Sequence, residues 1–140
     1  MLSIDAAGLQ LQIKPISSQF EEPGGPYFEW IEVQINLAAP GIQAEGRWSV
    51  MPLELREFQQ QVQAMYTRLQ PGQSAKLASV EPGFELTLHM LDLGHITGDW
   101  RFQPVRPDSG ACITGDCVFD QSLLPEIMQG IDSLLDILKS

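Results

Sequence analysis

The chain has 140 residues, the size of one domain, and 44% of them are hydrophobic against 19% charged, an ordinary composition for a soluble globular protein. Eighteen acidic against eight basic side chains leave a formal net charge of −10, which repels phosphate backbones and anionic lipid and so argues against direct nucleic-acid or membrane binding. No apolar run approaches the roughly 18 residues of a membrane-spanning helix, and "MLSIDAAGLQ" lacks the basic and apolar regions of a secretory signal; a cytoplasmic, single-domain protein over residues 1–140 is expected.

Apolar residues alternate through Leu9, Leu11 and Ile13, then through Ile31, Val33, Ile35 and Leu37, the period-two pattern of half-buried antiparallel strands. "APGI" at 39–42 is a turn signal leading into a third strand, "QAEGRWSVM". A hairpin centred there sets Val33 against Trp48, Ile31 against Val50, Gln34 against Arg47 and Asn36 against Glu45, so apolar meets apolar. "MPLELREFQQQVQAMYTRLQPG" changes period: Leu55, Phe58, Val62, Met65, Tyr66 and Leu69 form a helical stripe. Pro52 suits the first turn, Glu54 and Glu57 complement the dipole, and Pro71-Gly72 stops the helix.

A short strand around Leu77 to Val80 turns at "EPGF" into "FELTLHMLDLGHITGDWRF", residues 84–102. There Asp92-Leu93-Gly94 reads as a three-residue hairpin loop, a type I turn with Gly94 in the left-handed region. It pairs Phe84 with Phe102, Leu86 with Trp100, Met90 with Ile96, Glu85 with Arg101, Thr87 with Asp99 and His89 with Thr97. A four-residue loop from Pro107 to Gly110 then sets Trp100 against Cys117 and Arg101 against Asp116, so that Arg101 bridges the carboxylates of Glu85 and Asp116. The final stretch, "DQSLLPEIMQGIDSLLDILKS", carries a helix capped by Asp120 or Ser122 with the stripe Leu124, Ile127, Ile131, Leu134, Leu135 and Leu138; Gly130 within it costs about 1 kcal/mol relative to alanine. The expected class is α+β: antiparallel sheet of about seven strands in βββα-ββββα order, with two amphipathic helices on the apolar face.

Both histidines, His89 and His95, fall on the polar side of their hairpin, diagonally placed and without a third ligand, so neither a zinc site nor an oriented acid–base pair forms. Cys112 and Cys117 are five apart, a spacing that fits neither a CxxC redox motif nor a zinc knuckle, and they read as reduced structural thiols. "PGG" and "GAC" lack the context of a phosphate loop, and no GxSxG elbow occurs. No catalytic residue, metal or cofactor is expected, and the protein reads as non-enzymatic.

Phe28 and Trp30 break the pattern, pointing by parity to the polar side, where Met51 faces Trp30. Either the irregular segment "SSQFEEPGGPY" folds over them, or they form an exposed aromatic patch rimmed by Glu21, Glu22, Glu29 and Glu32 that suits a protein partner.

"YFEWIEVQINL", "GRWSVMPLEL", "LREFQQQVQAMYTRL" and "SVEPGFELTLHML", followed by a further strand and a terminal amphipathic helix, together resemble the WapI-type immunity proteins, small bacterial proteins encoded beside large cell-wall-associated contact-dependent toxins. The resemblance covers most of residues 9–138 and includes Trp48, Glu81 and Pro82; "PVRPDSGACITGDC" lies outside it. It implies a module that binds and neutralises a cognate toxin domain, often a nuclease. Nuclease domains are commonly basic, so an acidic inhibitor suits them. The expected partner-binding residues are Glu29, Trp30, Glu32, Glu45, Glu85, Asp99 and Asp116. Two alternatives stay open: an adaptor or chaperone-like binding protein, and a metal-dependent enzyme. Oligomeric state is not legible.

Overall fold

The computed structural model describes residues 1–20, 29–104 and 110–139, with the backbone alone for Phe20. Strands β1 (Leu2–Ala6), β2 (Leu9–Phe20), β3 (Glu29–Ala39) and β4 (Ile42–Val50) precede helix α1 (Pro52–Arg68); β5 (Ser74–Leu77), β6 (Phe84–Met90), β7 (His95–Phe102) and β8 (Ile113–Asp120) precede α2 (Leu124–Leu135). Each set of four strands forms its own antiparallel sheet, in chain order. The fold is therefore α+β as expected, with four strands and a helix occurring twice.

The expected hairpins appear with their registers. Val33 faces Trp48 and Ile31 faces Val50 across β3 and β4, and Phe84 faces Phe102, Leu86 faces Trp100 and His89 faces Thr97 across β6 and β7. One strand is additional. The alternation of Leu2 and Ile4, both buried, makes β1, which pairs with β2. Residues 17–20 are not an irregular flap but the continuation of β2 along β3, reached through a bulge between Pro15 and Ser17. Proline cannot donate to a ladder, which makes this a natural place for the register to shift. The fifth strand is Ser74–Leu77, not Leu77–Val80; Val80 is 73% exposed.

The β7–β8 register differs from expectation by two residues: Trp100 faces Gly115 and Gly98 faces Cys117. Size explains it. A Cβ on Gly115 would lie 2.3 Å from the Trp100 ring, and one on Gly98 would lie 2.6 Å from Cys117 Sγ, so each large side chain occupies the space left by the glycine opposite. The connection between β7 and β8 runs from 103 to 112 and is not the four-residue loop expected; Pro107, Asp108 and Ser109 of that loop lie outside the described residues.

Helix α1 buries Pro52, Leu55, Phe58, Val62 and Met65. Tyr66 and Leu69, assigned to the same stripe, are exposed: Tyr66 lies in the helix but off its buried face, and Leu69 lies beyond the last helical residue as the C-cap, in the left-handed region at φ 51°, with its N–H donating to the Met65 carbonyl. At the other end the two oxygens of Glu54 accept from the backbone N–H of Met51 and of Val80, both at 2.9 Å. Helix α2 buries Leu124, Ile127, Gly130, Ile131 and Leu134, while Leu135 and Leu138 pack part-buried at the margin of the core. Gly130 is not merely a weak helix former. Its missing Cβ would stand 2.8 Å from Leu2 Cα, so β1 crosses the helix where only glycine leaves room.

Both helices lie against edge strands. Along β5, the Gln61 side chain accepts from the Lys76 backbone N–H at 2.8 Å, and α2 lies over β1; covering an edge with a helix removes a template for pairing with another chain. The sheets meet where Val118 N–H donates to the Ala7 carbonyl at 3.0 Å. Between them Trp48 packs edge-on to Phe84, with centroids 5.4 Å apart, and its Nε1 donates to the Glu81 carbonyl at 2.8 Å. The core is continuous from Leu2 and Ile35 through Phe58 to Leu86, Phe102 and Ile131, and no polar or charged residue among those described is buried in it.

Candidate protein-binding surface

With the apolar side chains of β6, β7 and β8 turned inward, strand alternation forces the others outward. The outer face of the second sheet then carries Glu85, Thr87 and His89 from β6, His95, Thr97, Asp99 and Arg101 from β7, and Thr114, Asp116, Val118 and Asp120 from β8. Both imidazoles belong to this face: His95 is exposed and His89 half-buried. His89 Nε2 lies 3.4 Å from Asp99 Oδ2, an ion pair whenever the ring carries its proton. Among the described residues no group of three or more His, Cys, Asp or Glu side chains is arranged to hold a metal ion.

Three of the expected partner-binding residues come together here. Glu85, Asp99 and Asp116 line one shallow concavity of about 450 Å³ with Arg101 and Thr114. Asp99 and Asp116 face each other directly across the ladder, an arrangement of like charges that costs stability. The expected bridge through Arg101 is not formed. Arg101 faces Thr114, and among the described residues no ion pair joins it to Glu85 or Asp116; the two-residue register shift carries Asp116 past it.

The other four belong to the first sheet. Glu32 is paired to Arg47 at 2.8 Å, and Glu45 is exposed in β4. Glu29 and Trp30 begin β3 and are half-buried, with Trp30 facing Gln19 of β2. Trp30 is thus neither enclosed nor a freely exposed anchor. Phe28, Glu21 and Glu22, and with them most of the proposed cover, lie outside the described residues. Met51 is buried beyond the end of β4, at the start of α1.

Of the two cysteines, Cys117 is held as an unreactive thiol. Burial and then the adjacent Asp116 charge push the Cys117 thiol up to about 11, outweighing the backbone hydrogen bond from Gly98; Cys112 is free and exposed. At the end of the face, the Ser122 hydroxyl and then its backbone N–H hold the Asp120 carboxyl below its ordinary value of 3.8, with His95 adding a smaller pull and slight desolvation opposing. That bond, 2.8 Å from Ser122 N, caps the turn leading into α2.

Sequence reading missed the apolar end of this surface. Val118, 51% exposed, stands on the outer face beside Thr97. Pro71, Leu91, Asp92 and His95 join it around a concavity of about 650 Å³. The one signal the chain offered was parity: with Cys117 inward, Val118 points outward among carboxylates.

This is an α+β protein of two helix-flanked antiparallel sheets, presenting an acidic sheet face with an apolar end. The chain belongs to the immunity protein WapI-like family, whose model matches residues 1–139. No curated protein matches it. Solved structures similar to it include the plant transcriptional regulator PBF-2 (12% identity, TM-score 0.49, covering 98% of this chain and 80% of that one). Others are WHY1 and WHY3 from Arabidopsis thaliana, at 14% and 12% identity and TM-scores of 0.46 and 0.44. These cover 97% and 99% of this chain and 82% and 87% of theirs.

Proposed function

We propose that the protein is a non-catalytic, cytoplasmic immunity protein that binds and neutralises a basic toxin domain, a nuclease among the candidates, and that it acts as one domain without a cofactor. Membership of the immunity family over residues 1–139 carries the reading. The charge distribution supports it. A chain of net charge −10 that keeps Asp99 directly opposite Asp116 holds an unfavourable pair which a lysine or arginine of a partner would relieve. Glu85, Asp99 and Asp116 are the contacts favoured on this ground; Glu29, Trp30, Glu32 and Glu45 sit on the other sheet and serve as the comparison set.

The test is co-expression with a candidate toxin domain, sought in the reading frames adjacent to the gene, followed by calorimetry on the purified pair. Protection of the host and one-to-one binding that weakens with salt are expected, since exposed charges are screened over about 8 Å at physiological ionic strength. Undiminished killing in cells that accumulate the folded protein would remove the reading.

A further inference from the structure

Leu93 stands out twice. It is 93% exposed, more than any other large hydrophobic residue among those described. It also holds a left-handed backbone, φ 61° and ψ 28°, a conformation that asparagine or glycine adopts easily and a branched aliphatic residue does not. Among the described residues only one other non-glycine shares it, Leu69, which serves there as a helix C-cap. The hairpin tip was expected to need only Gly94 in that region, yet Leu93 and Gly94 both have positive φ.

The tip is also held firmly. Leu91 N–H donates to the His95 carbonyl at 2.7 Å, His95 N–H donates to the Asp92 carbonyl, and Gly94 is buried where a Cβ would run into the Gln121 side chain. A residue held in an unfavourable conformation by its surroundings, with its side chain in water, points to a function outside the fold. Fixing in advance the backbone that carries an apolar side chain also lowers the entropy cost of docking it.

We propose that the β6–β7 tip, with Leu93 as anchor and Leu91, Pro71 and Val118 beside it, is the apolar centre of the surface that seats the partner. The occupant is a folded basic domain presenting an apolar pocket ringed by lysine or arginine. Charge complementarity selects it. Asp92 lines the concavity, Asp120 faces His95, and the opposed Asp99 and Asp116 follow along the same face. Of the two cations on this sheet, Lys76 stands in the row of Asp99 and Asp116 but on the far edge strand, across Thr87, and Arg101, opposite Thr114, stands one step further from the tip. An apolar centre with a charged rim is the usual anatomy of such an interface. The inference rests on the immunity reading and locates its contact surface.

Calorimetry of the full chain against the purified toxin domain tests it, using Leu93→Gly, Leu93→Asp and, as a control on the first sheet, Ile42→Ala. Leu93→Gly relieves the backbone conformation, so its melting temperature is expected to equal or exceed wild type. Its affinity for the toxin is expected to fall about 10- to 100-fold, as when one well-buried aliphatic anchor is lost. Leu93→Asp should lose more and Ile42→Ala nothing. Wild-type affinity in both Leu93 variants overturns this inference and leaves the immunity reading standing. Failure of the wild-type chain to bind or inhibit the toxin overturns both. A wild-type dimer that Leu93→Gly converts to monomer with unchanged toxin affinity reassigns the tip to self-association and overturns it as well.

Discussion

Replacing Gly130 with alanine sets two effects of opposite sign against each other. In an exposed helix interior the change stabilises by about 1 kcal/mol, through the lower conformational entropy of the unfolded chain. Here the new Cβ would stand 2.6 Å from Leu2 Cδ1 and 2.8 Å from Leu2 Cα, whereas carbon atoms rest at roughly 3.5–4.0 Å. A rotamer change in Leu2 can move its methyl group out of the way. Its backbone has no such freedom, so β1 has to withdraw from α2 by most of an ångström, loosening Leu2 and Ile4, both essentially buried. Overpacking of this kind costs about 1–3 kcal/mol, and a clash with the main chain belongs in the upper half of that range, leaving a net loss of about 1–2 kcal/mol. For a chain of this size that is a fall in melting temperature of roughly 3–7 °C. Thermal and urea unfolding followed by far-UV circular dichroism measure it, with an unchanged m-value expected. A variant that melts above wild type would show that the helix and β1 do not approach each other this closely.

Three further outcomes are expected. Trp48→Phe removes the indole donor to the Glu81 carbonyl and trims the edge contact with Phe84, which costs about 1–2 kcal/mol in urea titrations. With a thiol reagent at pH 8, Cys112 reacts in the native protein; Cys117, buried and raised to about 11, holds roughly one thiolate in a thousand and reacts only on unfolding. The Asp120 carboxyl titrates lower folded than unfolded, so its contribution is complete above the unfolded value and disappears as pH falls through the folded one. Asp120→Asn should therefore flatten the acid limb of melting temperature against pH below about 3.8, and a limb identical to wild type would contradict the Ser122 contacts.

The two tight hairpins were legible because a short turn and a two-residue period leave one register that keeps every large side chain inward, as with Val33 against Trp48 and Leu86 against Trp100. The same rule gave β8 the correct face but the wrong register. A shift of two preserves parity, and only the fit of Trp100 over Gly115 and of Cys117 over Gly98 distinguishes the alternatives. Strand β1 escaped notice because two buried residues, Leu2 and Ile4, are too few to establish a period. At the surface, parity placed His89, His95, Asp99 and Asp116 outward correctly. It could not say that Glu32 and Glu45 belong to a different sheet from Glu85, nor that Leu93 would stand in water with a left-handed backbone, since both depend on the assembled structure.

The packing of β1 against α2 also governs what the chain looks like while it is being made. The N-terminal amino group meets the Ser133 hydroxyl, 132 positions later, and Leu2 lies directly against Gly130. A growing polypeptide can pair its first four strands early, yet the face of β1 that α2 covers stays bare until α2 is made, and exposed aliphatic surface of that kind is what makes a partly folded chain prone to aggregate.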